Sequence, residues 1–318
     1  VPDQRLKPIR ILLQRNDGAT ALWVQDFAEL LPQAQVVIWR EGQPAQPCDY
    51  AVVWAPPPAM LAELTLVKAI FNCGAGVDGL LRYGDALPNT IPIVRLGDAG
   101  MGMQMAEYVT HAVLRYLRRF DEYQVQANGG HWQPLIPHNK EDFTVGVLGI
   151  GVLGSAVLNA LACFGFPLRG WSRTQKSMPG VTCFSGDDGL DEFLRGTRVL
   201  VCMLPLTAQT SNLLDRANLS KLQPASYLIN VARGALVAEP DLLMLIKSGQ
   251  IKGATLDALR HEPLPLQHPF WNEPAITLTP HISALTLRRE SVAQIAQKML
   301  LLEAGQPILD VIDRSLGY

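Results

Sequence analysis

The sequence predicts an α/β protein built from two doubly wound, parallel-sheet domains, and three observations carry that prediction. Short apolar runs of strand length alternate with stretches of helical apolar spacing along nearly the whole chain. One stretch, Thr-Val-Gly-Val-Leu-Gly-Ile-Gly-Val-Leu-Gly at residues 144–154, reads as a strand running straight into a glycine turn and then a helix. Finally, 318 residues are long for one core and comfortable for two, and 48% hydrophobic with 18% charged is an ordinary globular composition.

The elements follow in order. Residues 9–13 form an apolar run fit for a buried strand, 21–31 have helical spacing, and 36–39 are strand-like again, which gives a βαβ start. A strand over 50–54, a proline break at 56–58, a short helix and a strand over 69–71 lead to the turn Asn72-Cys73-Gly74-Ala75-Gly76. A long helix is expected over 103–120. Met105, Val109, Ala112, Val113 and Leu117 lie on one of its faces, and Arg115, Arg118 and Arg119 suit its C-terminal end. A polar loop over 128–141 then enters the glycine turn. Beyond it, strands are expected at 168–171, 199–204, 227–231, 254–256 and 276–278, with helical segments between most of them. A last amphipathic helix near 287–302 needs a surface to cover.

Composition excludes several classes of function. A net charge of -2 with scattered Lys and Arg offers no basic face for nucleic acid. No stretch reaches the ~20 apolar residues of a membrane-spanning helix. Five cysteines, Cys48, Cys73, Cys163, Cys183 and Cys202, are odd in number and mostly embedded in apolar runs, which reads as buried thiols in a reducing cytoplasm. None of the six histidines stands in HExxH or at ligand spacing to a cysteine, so no metal is expected. The chain opens on Val1 rather than methionine, and residues 1–7 are left out of the fold argument.

In parallel sheets of this kind, ligands gather beyond the carboxyl ends of the strands. Gly149 would allow a tight turn, Gly151 a close approach of a pyrophosphate, and Gly154 close packing of helix on strand. The open N–H groups of the helix start, at Val152 and Leu153, would face the anion. Where the next strand ends, Trp171-Ser172-Arg173-Thr174-Gln175-Lys176 lacks the acid that binds ribose hydroxyls. Ser172, Arg173 and Lys176 suit a 2′-phosphate instead, or form a solvated basic turn. Leu204 and Pro205 close a further strand beside the expected cofactor. Arg233, in Asn230-Val231-Ala232-Arg233-Gly234, follows a buried strand, where a charge implies either a bound anion or a structural ion pair. Asp257 also ends an apolar strand, as a cap or as a contact to the nicotinamide half. Glu262 and His281 stand on proline-framed loops, and a carboxylate beside the imidazole favours the charged form that can give a proton to a carbonyl oxygen; the alternative is a satisfied loop histidine.

Taken together, the chain resembles the D-isomer-specific 2-hydroxyacid dehydrogenases. Gly149-x-Gly151-x-x-Gly154, Val231-Ala232-Arg233-Gly234, Glu262-Pro263-Leu264 and Thr279-Pro280-His281 stand in that family's order, and Gly74-Ala75-Gly76-Val77-Asp78 matches its substrate-carboxylate loop. The resemblance implies two Rossmann-like domains. A discontinuous substrate-binding domain spans 1–104 and 284–318, to which the last helix returns, and an NADP-binding domain spans 105–283. It implies reduction of small 2-keto acids such as glyoxylate and hydroxypyruvate, with NADPH preferred over NADH and Val231 and Ala232 among the cofactor contacts. It makes Arg233 the holder of the substrate carboxylate and carbonyl, and His281 the proton donor supported by Glu262. Gly74, Ala75 and Gly76 would bind the carboxylate, Trp54 would wall the pocket, and Trp132 would reach in from the partner subunit of a homodimer. Sister activities on phosphoglycerate or formate are disfavoured. Formate enzymes resemble a Gln-His arrangement where this chain has Glu262, and a chain ending at Tyr318 leaves no room for an appended regulatory domain. A non-enzymatic dinucleotide sensor is disfavoured by Arg233, Glu262 and His281.

Overall fold

The computed structural model describes residues 8–318 and divides them into two compact units; the expectation for residues 1–7 lies outside the described residues. The first unit comprises the chain up to Gly100 together with Thr286–Tyr318. Its elements run β1 (Ile9–Gln14), α1 (Thr20–Leu30), β2 (Ala34–Ile38), β3 (Tyr50–Val53), α2 (Leu61–Leu64), β4 (Ala69–Asn72), α3 (Asp78–Leu81) and β5 (Ile93–Val94). The five strands form one parallel sheet in the order β2-β1-β3-β4-β5. β3 and β4 are buried along their whole length, which is why residues 50–53 and 69–71 read as apolar runs.

The second unit, Met101–Leu285, opens with α4 (Met101–Leu117) and α5 (Phe120–Asn128). It continues with β6 (Val145–Leu148), α6 (Val152–Ala162), β7 (Leu168–Ser172), β8 (Val181–Ser185), α7 (Gly186–Arg195) and β9 (Val199–Cys202). Next come α8 (Arg216–Leu219), β10 (Ser226–Asn230), α9 (Glu239–Lys247), β11 (Ile251–Leu256) and β12 (Ile276–Leu278). Seven parallel strands take the order β12-β11-β10-β9-β6-β7-β8, so strand order reverses beside β6, the strand that feeds the glycine turn. Side chains alternate across this sheet. Val145, Val147, Val199, Val201 and Ile229 join Met105, Val109, Val113 and Val157 in one core, while Leu148, Leu200, Leu228 and Leu256 join Phe193 and Leu242 in the other. All five residues expected on one face of the long helix are buried.

α10 (Arg288–Glu303) belongs to the first unit, where it packs on α1 through a face that includes Val292, Ile295, Ala296 and Met299. Arg288 pairs with Asp26 at 3.0 Å and Arg289 with Glu29 at 2.7 Å across that contact.

Two local expectations are corrected, and three elements escape the sequence reading. The helix expected over 103–120 ends at Leu117, because Arg119 turns the chain at φ +59° and a separate α5 begins at Phe120. α5 buries no residue and so has no apolar stripe to announce it. β8 is an edge strand whose only buried residue is Phe184, and β5 has two residues; neither is long or apolar enough to stand out. The thiols are all free, but only Cys73 and Cys202 are buried; Cys163 is exposed at the C-terminal cap of α6. Among the described residues no helix is long and apolar enough to cross a membrane, and no cluster of metal-ligating side chains occurs.

Candidate active site

The turn after β6 is shaped by three glycines with three different reasons. Gly149 sits at φ +118°, and a Cβ there would lie 2.8 Å from the carbonyl oxygen of Met203. Gly154 could not carry a Cβ either, since it would stand 2.0 Å from the carbonyl oxygen of Gly149, so the first turn of α6 lies directly on the glycine turn. Gly151 is different: nothing lies within 4 Å of the position its Cβ would take. It is exposed and caps α6 with no side-chain acceptor on the first N–H groups, including those of Val152 and Leu153. A helix start with open donors, no acid in its first turn and clear space in front of it fits a phosphate group. Leu204 and Pro205 flank this turn; the N atom of Leu204 would lie 3.2 Å from a Cβ on Gly149, and Thr210 donates to the carbonyl of Pro205 at 2.7 Å.

At the end of β7, Ser172 is buried and donates through Oγ to the carbonyl of Thr174 at 2.8 Å, which folds the turn that carries the exposed Arg173. The Lys176 ammonium donates to the carbonyl of Ile150, inside the glycine turn. Lys176, one of the basic residues expected at a 2′-phosphate, is thereby tied to the glycine turn.

A buried asparagine organises the next strand end. Asn230 donates through Nδ2 to the carbonyls of Arg233 at 3.0 Å and Ala258 at 3.4 Å, and its Oδ1 accepts from the N–H of Ala232 at 3.2 Å. This holds Val231, Ala232 and Arg233 in one tight turn, with the Arg233 guanidinium donating to the carbonyl of Ala232 at 2.8 Å. Gly234 must be glycine, because a Cβ would fall 1.9 Å from the carbonyl carbon of Leu259. The arginine turn is thereby pressed against residues 258–260.

Those residues connect to the acid pair. Glu262 accepts from the N–H of Leu259 at 2.8 Å through Oε1 and meets His281 Nδ1 at 2.9 Å through Oε2. Both side chains are partly exposed, at 39% and 43%, open enough to exchange protons with solvent. Asp257 is 1% exposed, and both its oxygens are engaged: Oδ1 accepts from Thr279 Oγ1 at 2.6 Å and the N–H of Ile282 at 2.8 Å, Oδ2 from the N–H of Ser283 at 2.8 Å. Of the two sequence readings of Asp257, the cap describes these contacts.

In the first unit, Asn72 donates through Nδ2 to the carbonyls of Gly74 at 3.0 Å and Gly76 at 2.9 Å. Because N–H and C=O point oppositely across a trans peptide, turning the Gly74 carbonyl inward turns the Ala75 N–H outward. Gly74 also leaves room for Trp54, whose ring would lie 2.4 Å from a Cβ at that position. Trp132, in the loop after α5, is 100% exposed.

Three residues whose roles sequence reasoning missed are Asn72, Asn230 and Thr279. Each is a side chain that shapes a loop rather than one that would touch a ligand. A buried asparagine at a strand end just before a glycine-containing turn is the available signal for the first two.

Comparison with known proteins agrees with this geometry. Residues 110–283 match the family model described as D-isomer specific 2-hydroxyacid dehydrogenase, NAD binding domain. Glyoxylate/hydroxypyruvate reductase A of Yersinia enterocolitica is 46% identical over 300 residues, covering 93% of this chain and 96% of that protein. The enzyme of the same description from Klebsiella pneumoniae is 46% identical over 314 residues, covering 98% and 100%. Among solved structures, a D-isomer specific 2-hydroxyacid dehydrogenase from Xanthobacter autotrophicus Py2, in complex with NADPH and MES, superposes with a TM-score of 0.93 at 36% identity, covering 98% of this chain and 100% of that one. The NADPH-dependent glyoxylate/hydroxypyruvate reductase of Sinorhizobium meliloti, in complex with NADP and sulfate, gives 0.89 at 32% identity over 98% and 100%. The chain belongs to the D-isomer-specific 2-hydroxyacid dehydrogenases.

Proposed function

We propose that this NADP-dependent 2-hydroxyacid dehydrogenase reduces small 2-keto acids, glyoxylate and hydroxypyruvate foremost, to glycolate and D-glycerate. The observation that carries the reading is the His281–Glu262 pair, 2.9 Å apart and contiguous through residues 258–260 with the turn of Arg233. When bound, a reduced nicotinamide would supply the hydride for the carbonyl carbon. Glu262 engages Nδ1 of His281, which leaves Nε2 to deliver the proton to the carbonyl oxygen as it becomes a hydroxyl. Arg233 binds the substrate carboxylate and polarises the carbonyl, a task that suits a planar, permanently charged fork. In the first unit, Gly74, Ala75 and Gly76 are assigned to the carboxylate through their N–H groups, and Trp54 to a wall that keeps the substrate small. The cofactor is assigned to Gly149, Gly151, Val152, Leu153 and Gly154 for the pyrophosphate, and to Ser172, Arg173 and Lys176 for the 2′-phosphate. Leu204, Pro205, Val231 and Ala232 complete the cofactor contacts.

The enzyme is a homodimer in this reading, with Trp132 of one subunit completing the site of the other. A fully exposed indole four residues before Ile136, itself 83% exposed, supports it. Sedimentation showing a fully active monomer would reject the dimer. Five free cysteines support a cytoplasmic location.

The test is loss of NADPH absorbance with glyoxylate and with hydroxypyruvate, in wild type and His281→Ala. The expected result is turnover in the wild type and a loss of ~10²–10⁴-fold in kcat in the variant, with NADPH affinity retained. Near-normal turnover in His281→Ala would overturn the assignment of the acid. Wild-type silence toward every small 2-keto acid, with NADPH still bound, would leave a dinucleotide-binding protein.

A further inference from the structure

We propose that Tyr108, on α4, is a positioning residue for the proton donor, acting through Thr279 and Asp257 on the loop that carries His281. The inference rests on the reading of His281 as the acid.

His281 occupies the left-handed region at φ +55°, a conformation a non-glycine residue keeps only where its surroundings over-determine it. The surroundings here converge on one residue. Thr279, two positions before His281, and Ile282 and Ser283, immediately after it, all donate to the Asp257 carboxylate, while the N–H of His281 donates to the Asp257 carbonyl at 3.0 Å. The loop is folded around Asp257, and the ring is aimed by it.

The direction of the outer link can be deduced. An ionised carboxylate only accepts, so the single hydroxyl proton of Thr279 goes to Asp257 Oδ1 at 2.6 Å. Thr279 Oγ1 lies 2.5 Å from the Tyr108 hydroxyl, and having used its proton it can only accept there. Tyr108 is therefore the donor, and the chain runs one way: Tyr108 to Thr279 to Asp257. Burial pushes the Tyr108 phenol up to about 12, so it keeps that proton under all ordinary assay conditions. Its helix is a firm support, because Met105, Val109, Ala112 and Val113 of α4 are buried in the core of this unit. A phenylalanine would supply the same packing, so the hydroxyl is explained by this bond and not by the fold. Without it, the Thr279 hydroxyl has no partner that forces its proton toward Asp257.

The experiment compares Tyr108→Phe, Thr279→Val, Thr279→Ser and the double variant Tyr108→Phe/Thr279→Val, each with kcat, KM for glyoxylate, NADPH affinity and Tm. Losing one such bond should lower kcat by ~3–10-fold in Tyr108→Phe, with KM and NADPH affinity within roughly twofold. Thr279→Val should lose at least as much, Thr279→Ser should keep wild-type kcat, and the double variant should match Thr279→Val alone, since the tyrosine acts only through that hydroxyl. Wild-type kcat in Tyr108→Phe, or a double variant whose loss is the product of the single losses, would overturn the proposal. Were Tyr108→Phe to fail to fold, the threonine pair decides: loss in Thr279→Val with rescue in Thr279→Ser supports the link, and equal behaviour of the two overturns it. His281→Ala separates the two readings, because an active His281→Ala removes the acid itself, whereas an inactive one beside a normal Tyr108→Phe removes only the positioning role.

Discussion

Two loops leave the carboxyl edge of the same seven-stranded sheet, and they are made in opposite ways. The glycine turn after β6 is defined by side chains that are absent: a Cβ at Gly149 or Gly154 would strike backbone atoms, and one at Gly151 would stand in open space. The loop after β12 is defined by side chains that are present, Asp257 holding Thr279, Ile282 and Ser283 around His281. The first loop is rigid because its own atoms crowd each other. The second is rigid because hydrogen bonds arrive from elsewhere. A loop of the first kind should fail abruptly and by folding; one of the second kind should fail by degrees and in catalysis.

The largest effect expected is at Gly154. A Cβ placed 2.0 Å from the carbonyl oxygen of Gly149 and 3.1 Å from its carbon meets backbone, which no flexible side chain can relieve. Gly154→Ala should cost ~3 kcal/mol or more and abolish NADPH binding together with it. Denaturant unfolding showing wild-type stability would mean that the turn is not built by steric contact.

Next in size is the exchange of cofactor preference. Ser172 ends β7 and Arg173 follows it, the position proposed for the 2′-phosphate, and charge-assisted contacts to such a phosphate contribute ~1.5–3 kcal/mol, roughly ten- to hundredfold in affinity. Arg173→Ala alone should narrow the preference for NADPH by that factor. Adding Ser172→Asp should reverse it through repulsion, with some loss of stability because the Ser172 hydroxyl also donates to Thr174. Measuring kcat/KM for both cofactors decides, and indifference in both variants would make Ser172 and Arg173 a solvated turn only.

The contrast between the loops also explains what the sequence disclosed. A glycine spacing is local, so the turn built on Gly149, Gly151 and Gly154 could be read off eleven consecutive residues. Most strands of both sheets, β5 and β8 excepted, were legible for the same reason, since burial along the whole strand leaves apolar runs such as those of β3 and β6. What joins Asp257 to Ser283 spans 26 positions, and what joins Tyr108 to Thr279 spans 171. No periodicity reports such partners, and a tyrosine on an apolar helix face looks like core. α5 escaped for a different reason: with no buried residue it has no stripe to count.

Glu262, in the loop after β11, reaches the loop held by hydrogen bonds through His281, and it sharpens the comparison because its replacement need not disturb the fold. A glutamine can keep its Oε1 on the N–H of Leu259 while its Nε2 donates to Nδ1 of His281, so the shape of the pair survives while the charge beside the imidazole is lost. Glu262→Gln should lower kcat by ~10-fold with Tm and NADPH affinity unchanged. Unchanged kcat would show that the carboxylate merely orients the ring.

The smallest effect, and the cleanest division between folding and binding, is expected at Gly151. Its φ of -89° and ψ of -164° are open to any residue, and nothing lies within 4 Å of an added Cβ. On the folding side, Gly151→Ala should therefore be neutral or stabilising by ~0.4–1 kcal/mol, since alanine restricts the unfolded chain and meets no obstacle in the folded one. On the binding side, the methyl group would project from the N-terminal cap of α6 into the space assigned to the pyrophosphate and push the phosphate off the helix N–H groups. NADPH affinity should fall by roughly three- to tenfold, on the scale of one weakened hydrogen bond. Calorimetric unfolding and NADPH titration on the same preparation give both numbers. A variant that loses stability as Gly154→Ala does would mean the turn is crowded throughout, whereas one that binds NADPH normally would mean the open space in front of Gly151 is not where the phosphate goes.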